Sequence, residues 1–196
     1  MGKGGLPMPA TSVQKLARVL KVLVTITFAC NLIALVLVPG LAMMKGVQPL
    51  LDLTPYEQSW EVPARVLIVF LLSWKWVWTS GAYDVVLTLF LLFCGVCTAV
   101  VLWQARRVLG TILKARTFSM GNAANMGRAG ICCFLISAAA LVRLLWGFWY
   151  YASIQPLLTY NALFVPIFFM GGLLCLVMSA LFRQAAELKA ENDLTI

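Results

Sequence analysis

The chain has 196 residues, of which 62% are hydrophobic and only 11% are charged, against about 25% charged residues in an ordinary soluble domain. The apolar residues form runs too long and too uniform for the one-sided face of a surface helix, which excludes an ordinary soluble fold. The net charge of +8 does not indicate nucleic-acid binding, because the basic residues lie scattered at the edges of the apolar runs and form no compact stripe.

The first apolar run predicts a transmembrane helix over residues 20–40, after a cytoplasmic tail of residues 1–19. A bilayer core requires about 20 apolar residues in a helix. We expect Pro39 and Gly40 to end this helix, because proline lacks the amide hydrogen and glycine has a flexible backbone. No small-residue cleavage pattern follows, so this run is interpreted as a retained span and not as a cleaved signal peptide.

Residues 41–81 are predicted to form an extracytoplasmic or interfacial segment. The apolar part of Val66–Trp78 is too short for a span, and Lys75 interrupts it. Tryptophan alternates with other residues over Trp74–Trp78, a period of two that is typical either of a short strand or of an aromatic belt at headgroup depth.

Three further apolar runs predict the remaining spans, and the two without any charge, Val85–Trp103 and Ala162–Phe182, give the clearest signal. The predicted spans cover residues 82–104, 129–151 and 161–183, with a basic cytoplasmic loop at 105–128, an outer turn at 152–160 and a cytoplasmic tail at 184–196.

Lysine and arginine concentrate in alternate polar segments, which predicts the orientation of the chain. The N-terminal tail and the 105–128 segment are rich in basic residues, and the C-terminal tail adds Arg183 and Lys189. In the 41–81 segment the basic residues are diluted by acidic ones, and the 152–160 turn has no charge. Because basic loops are retained in the cytoplasm, the predicted fold class is an all-α polytopic membrane protein. It has four transmembrane helices, both termini in the cytoplasm, and a short outer segment between the first two helices.

Arg143 is the one charge well inside a predicted span. Placing arginine there costs about 2.5 to 3.5 kcal/mol on insertion scales, so the side chain should face protein or water and have a partner. We predict an intramembrane ion pair with Asp84 at the outer start of the second span, which Arg143 can approach by extending outward. Such a pair has a structural role more often than a transport role.

All six cysteines fall in apolar runs, which is typical of free thiols packed as small hydrophobic residues. Cys94 and Cys97 form a Cys-x-x-Cys pair, but redox and zinc chemistry require thiolate, which a lipid-embedded helix disfavours. The sequence also lacks histidine, a phosphate-binding loop and a nucleophile elbow. We therefore predict no enzymatic activity and no catalytic, cofactor-binding or metal-binding residues.

Two cytoplasmic segments have a more specific composition. In Lys114–Arg128, Ser119 is a predicted N-cap for a short helix that leads into the third span. The tail Glu187–Ile196 continues the fourth span as a polar helix and ends in a short peptide of mixed character. By composition alone such a tail is a docking peptide or a frayed end.

These two segments resemble those of a bacterial membrane family called domain of unknown function 2975. Its members have about four spans, an Arg/Gly-x-x-Phe-Ser/Thr-x-x-Asn-like stretch before the third span, and the ending Glu-Asn-Asp-Leu-Thr-Ile. The matching residues are Thr117, Phe118, Ser119, Asn122, Arg128, Glu191, Asn192, Asp193, Leu194, Thr195 and Ile196. The resemblance implies a non-enzymatic protein of the bacterial cytoplasmic membrane, often encoded beside a small helix-turn-helix regulator that the matching residues would bind.

Our leading hypothesis is a membrane regulator or sensor whose Arg116–Arg128 segment and Glu187–Ile196 tail bind that regulator. The expected partners are the lipid bilayer and the regulator, with no direct nucleic-acid contact, and a homo-oligomer is compatible with the pattern. One alternative is a small transporter or channel subunit with Arg143 lining a polar path, which a flux assay on Arg143→Leu would test. Another is an immunity or stress-protection protein whose outer segment Trp74–Trp78 contacts a toxic peptide, which the peptide sensitivity of a deletion strain would test.

Overall fold

Four long helices make up most of the molecule. A computed structural model describes residues 12–43, 71, 73–79, 81–114, 118–152 and 160–194, and within these ranges it contains no strand. The helices are α1 (Ser12–Met43), α2 (Ala82–Leu113), α3 (Met120–Tyr151) and α4 (Phe164–Leu194). All four are long and apolar enough to cross a membrane, which confirms the prediction of an all-α membrane protein with four spans.

All four helices extend past their apolar runs on the same side of the molecule. On that side α1 begins at Ser12, α2 continues to Leu113, α3 begins at Met120 and α4 continues to Leu194. Most of the basic segment between the second and third spans therefore belongs to a helical hairpin, whose turn connects Leu113 to Met120. We call the end of the molecule that contains this turn the hairpin end and the opposite end the far end. Helix length does not mark a membrane boundary, so the limits of the predicted spans stay predictions.

The prediction that Pro39 and Gly40 end the first helix is wrong. α1 passes through both residues and ends at Met43. Close to this interruption, the Trp74 indole Nε1 donates a hydrogen bond of 2.8 Å to the Val36 carbonyl oxygen. Pro39 cannot donate to the Leu35 carbonyl oxygen four residues earlier, but the loss of one bond is tolerated inside a membrane helix. The Trp74 bond to the adjacent Val36 carbonyl ties this part of α1 to a neighbouring segment.

The segment that supplies this tryptophan is helical. Residues 73–76 form a helical turn, and Val77–Thr79 form a 3₁₀ helix. The Val77 side chain is completely buried, whereas Trp76 and Trp78 are about half exposed. The alternative of a short strand is therefore wrong. The backbone is helical, and it places Trp74 against α1 while Trp76 and Trp78 face outward.

The helices pack in chain order. α1 lies against α2, α2 against α3 and α3 against α4, and within the described ranges no Cα atom of α1 comes within 8 Å of one in α4. The helices therefore form an open row with α1 and α4 at its edges. The outward side of α4 exposes large apolar side chains such as Met170 and Leu174, as expected where lipid covers the surface, because lipid tails are as apolar as leucine.

Small residues bring α3 and α4 close together. A Cβ atom added to Gly130 would lie 3.1 Å from the Gly172 carbonyl oxygen, and one added to Gly172 would lie 3.0 Å from the Phe134 ring. The Ser137 hydroxyl donates to the Val165 carbonyl oxygen at 2.9 Å across the same contact. Close backbone approach and interhelical hydrogen bonds are what hold helices together in lipid.

The contact between α1 and α2 is centred on Gly95. The Asn31 side-chain amide donates to the Gly95 carbonyl oxygen at 3.0 Å. The Leu35 side chain fills the space beside this glycine, where an added Cβ would lie 2.6 Å from Leu35 Cδ2. The small residue Gly95 therefore allows α1 and α2 to approach closely.

Candidate functional site

The hairpin turn is fixed by the residues that begin α3. Ser119 has an extended backbone and its Oγ accepts a hydrogen bond of 3.3 Å from the Asn122 backbone amide. A serine at this position satisfies an amide that has no partner within the helix. The prediction that Ser119 is the N-cap of this helix is confirmed.

Asn122 lies completely buried inside the hairpin. The Thr111 hydroxyl of α2 is 2.8 Å from Asn122 Oδ1 and 2.7 Å from the Val108 carbonyl oxygen. A hydroxyl has one hydrogen, so it donates to one of these atoms at a time, unless the Asn122 amide nitrogen faces the hydroxyl and donates to it. Since Asn122 is enclosed, it supports any partner surface only by holding the two helices in place.

α4 packs against the base of this hairpin. The Ser179 hydroxyl donates to the Ala123 carbonyl oxygen at 2.7 Å. Val108, Ala123 and Phe182 from three different helices form a buried apolar cluster. The rings of Phe118 and Phe182 lie 6.4 Å apart, while Phe118 remains 54% exposed. Phe118 therefore joins the turn to α4 and also presents apolar surface.

Beyond Phe182, α4 continues past the hairpin turn. The remaining part, Arg183–Leu194, is about 18 Å long at the rise of an α-helix. We call it the α4 extension. Arg183 Nε and Glu187 Oε1 form an ion pair of 3.1 Å along it, and the Leu188 side chain is 62% exposed. The extension is thus a helix of mixed charge with an apolar side chain open to a partner.

The residues predicted to bind a partner fall into two separate groups. Phe118, Ser119 and Asn122 lie together at the hairpin turn, and Arg128 is exposed two turns along α3. Glu191 and Asn192 are exposed on the α4 extension. From Phe182, which contacts the turn, to Glu191 is about 14 Å along the helix axis. The backbones of Asp193 and Leu194 complete α4, whereas residues 115–117, 195 and 196 lie outside the described residues.

Asp84 and Arg143 both lie at the far end. Asp84 is in the first turn of α2, where a carboxylate is favoured by the helix dipole. The Arg143 guanidinium lies 4.7 Å from the centre of the Phe90 ring. At the same end, Tyr151 joins Tyr83, Trp146 and Tyr150 in an aromatic cluster. The ion pair stays a prediction, within a shared, largely aromatic neighbourhood.

The six cysteines are free thiols. The fold brings several of them together, because Cys133 of α3 lies near Cys175 of α4 and Cys97 of α2 lies near Cys132. The part of the chain that the structure describes contains no group of three or more cysteine and acidic side chains able to hold a metal ion.

A group of cations between α1 and α2 was not among the predicted sites. The guanidinium carbons of Arg106 and Arg107 each lie 5.8 Å from the centre of the Trp103 ring. Lys21 of α1 reaches across to α2, with its Nζ 3.8 Å from where a Cβ of Gly110 would be. In sequence, the signal is an aromatic residue, two arginines and a glycine spaced to share one helix face, and the contribution of Lys21 depends on how the helices align.

These observations define a multi-pass, all-helical membrane protein whose polar structure concentrates at the hairpin end. The chain belongs to the family described as Protein of unknown function (DUF2975), whose sequence profile matches residues 60–196. No curated protein and no solved structure matched the chain. The matched region includes α2, α3 and α4, and α1 lies before it.

Proposed function

We propose that this protein is a non-enzymatic regulator of the bacterial cytoplasmic membrane, with both termini in the cytoplasm. It holds a small helix-turn-helix transcription factor at its hairpin end and releases it on a signal. The observation that carries the proposal is the α4 extension, which continues past the hairpin turn and exposes Leu188. The partner's class rests on the resemblance of Phe118–Arg128 and Glu191–Ile196 to the family pattern.

The α4 extension has the form of a docking helix. A free helix of this length is marginal in water, but here the membrane-embedded part of α4 is continuous with it and supplies the helical nucleus. Helices that dock into protein grooves do so through a few apolar anchors surrounded by polar residues. Leu188 is such an anchor, and the half-exposed Phe118 at the turn adds apolar surface near the base of the extension.

The charge distribution suits a basic partner. Three of the chain's seven acidic residues, Glu187, Glu191 and Asp193, lie on the extension, while α1 and α3 contain none. Helix-turn-helix proteins carry basic surface for binding DNA phosphates. The acidic side chains of the extension would favour association with that surface and would compete with DNA for the same residues.

Fractionation of cells that contain the full-length protein and the adjacent helix-turn-helix regulator tests the proposal. We expect the regulator to be found with the membranes, and to be released into the cytosol by Leu188→Glu or by deletion of Glu191–Ile196. Lys189→Ala, which changes a neighbouring side chain and removes no acidic or apolar group, is the matched control and should leave the regulator bound. Unchanged membrane recruitment after the deletion would overturn the proposal.

The orientation needs its own measurement. With cysteine introduced as Lys114→Cys or Ile196→Cys, a membrane-impermeant maleimide should label neither position from outside intact cells and both after the membrane is opened. Labelling of the two positions from opposite sides of the bilayer would separate the hairpin turn from the C-terminal tail, and the proposed docking surface could not form.

A further inference from the structure

We propose that Lys21, Arg106 and Arg107 form a binding site for the phosphate of an anionic phospholipid headgroup, between α1 and α2 at the hairpin end. This headgroup site is independent of the proposed protein partner. It lies where the uncharged run Val85–Trp103 ends, which is the depth at which headgroups meet a membrane helix.

The alignment of the two helices builds the site. Trp103 and Gly110 are two turns apart on one face of α2, and Phe28 and Lys21 are two turns apart on the facing side of α1. The Phe28 and Trp103 rings lie 5.8 Å apart, and at the other contact the Lys21 amine lies over Gly110. Since glycine has no side chain, Lys21 can cross to α2 at Gly110, on the same helix face as Arg106 and Arg107 in the preceding turn.

Aromatic packing holds the two arginines beside this crossing. Both guanidinium carbons lie 5.8 Å from the centre of the Trp103 ring, a separation at which a cation is attracted to the ring face. The Lys21 and Arg106 side chains are partly buried, while Arg107 is exposed. The three cations therefore line one edge of the helix pair, between Trp103 and Gly110, where Arg107 is open to the surroundings.

No carboxylate from these helices balances the three charges. α1 and α3 contain no acidic residue, and the single one in α2 is Asp84 at the far end. Like charges gathered at one place repel one another, and a shared anion relieves that repulsion. Lysine and arginine bind phosphate through charge-assisted hydrogen bonds, and the phosphate present at this depth is that of the lipid headgroup.

Binding of phosphatidylglycerol to the purified full-length protein in detergent tests the site. Native mass spectrometry should show retained phosphatidylglycerol, and the lipid should raise the thermal unfolding midpoint more than phosphatidylcholine does. Each of Lys21→Gln, Arg106→Gln and Arg107→Gln should weaken the apparent affinity about fivefold, the value expected for one basic residue near an anionic membrane surface. Arg183→Gln removes one positive charge from α4, away from the α1–α2 contact. It is the control and should leave the affinity unchanged.

A pair of variants at Gly110 tests the geometry without changing any charge. An alanine Cβ fits, because the Lys21 amine would lie 3.8 Å away, so Gly110→Ala should bind normally. Gly110→Leu occupies the position of the amine and should weaken binding about as much as Lys21→Gln does.

Three results would overturn the proposal. The first is equal binding by the triple glutamine variant and the unchanged protein. The second is an equal loss of affinity with Arg183→Gln, which would mean that net charge and not this site attracts the lipid. The third is stabilisation by inorganic phosphate alone to the same extent as by phosphatidylglycerol, which would assign the site to a soluble anion.

Discussion

The two edges of the helix row are built differently. Between α3 and α4, Gly130 and Gly172 let the backbones approach, and two serine hydroxyls donate across the contact. Between α1 and α2 one glycine receives a leucine and accepts a hydrogen bond from the Asn31 amide, and the hairpin end of the contact is formed by aromatic rings and cations. Apolar burial does little to bring helices together in lipid, so backbone proximity and hydrogen bonds decide. α4 should therefore be held more firmly than α1.

The largest effect is expected from Gly172→Leu. Its Cβ alone would lie 3.0 Å from the Phe134 ring and 3.2 Å from the Gly130 carbonyl oxygen, so the larger side chain must separate α3 from α4. We expect the free energy of unfolding to fall by about 3 kcal/mol, measured by denaturant titration in detergent. The adjacent Gly171→Leu is the matched control, because a Cβ there meets no atom within 4 Å. Equal losses in both variants would show that the close contact of Gly172 with α3 is not the cause, and would contradict a firmly held α4 edge.

The contact between α2 and α3, in the middle of the row, should be intermediate in strength, and Asn122 tests it. Asn122→Ala removes its hydrogen bond with Thr111 and leaves a cavity in a fully buried position. We expect a loss of about 2 kcal/mol, since a buried polar group deprived of its partner adds to the cost. In a double-mutant cycle with Thr111→Val, the double variant should lose less free energy of unfolding than the sum of the two single losses. Strict additivity would show that the pair is not coupled.

A smaller loss is expected at the α1 edge from Gly95→Ala. The new Cβ would lie 2.6 Å from Leu35 Cδ2, but a leucine tip can rotate away, so we expect a loss of about 1 kcal/mol. Thermal unfolding monitored by size exclusion will measure it. In a Leu35→Ala background the same glycine substitution should cost nothing. If it remains equally costly there, the clash with Leu35 is not the cause.

The smallest effect is expected from Arg183→Ala on the α4 extension. Its ion pair with Glu187 is largely exposed, with 70% of the arginine side chain and 48% of the glutamate side chain accessible. Exposed pairs of this spacing contribute about 0.5 kcal/mol or less. The same unfolding assay should therefore hardly change. A loss as large as that of Gly95→Ala would mean that the extension takes part in the packed structure.

The sequence predicted the parts of the fold that depend on local composition. The four apolar runs are the four long helices, and Ser119 caps α3 as its position indicated. The end of α1 was predicted wrongly, because the single backbone hydrogen bond lost at Pro39 does not stop a membrane helix that packs on neighbouring elements. Trp74, from a distant segment, bonds to α1 near this point. Trp74–Trp78 illustrates the same limit. The alternating tryptophans suggested a strand or an aromatic belt, but the helical backbone of this segment depends on its packing against α1, which the pattern does not reveal.

The candidate sites depended even more on tertiary contacts. Phe118, Ser119 and Asn122 were singled out by pattern, but only the fold shows that Asn122 is enclosed while Phe118 remains half exposed. Trp103, Arg106 and Arg107 share a helix face by spacing alone. That Lys21 lies against Gly110 on this same face follows from the register of α1 on α2, which no local pattern in either helix specifies.

The open row also bears on how the protein is made. In the described ranges, each long helix packs against the ones that precede and follow it in the chain. As synthesis proceeds, every newly inserted helix thus meets a neighbour that is already in the bilayer. Assembly can follow translation step by step, and α4 joins last, onto a hairpin whose two arms are already paired.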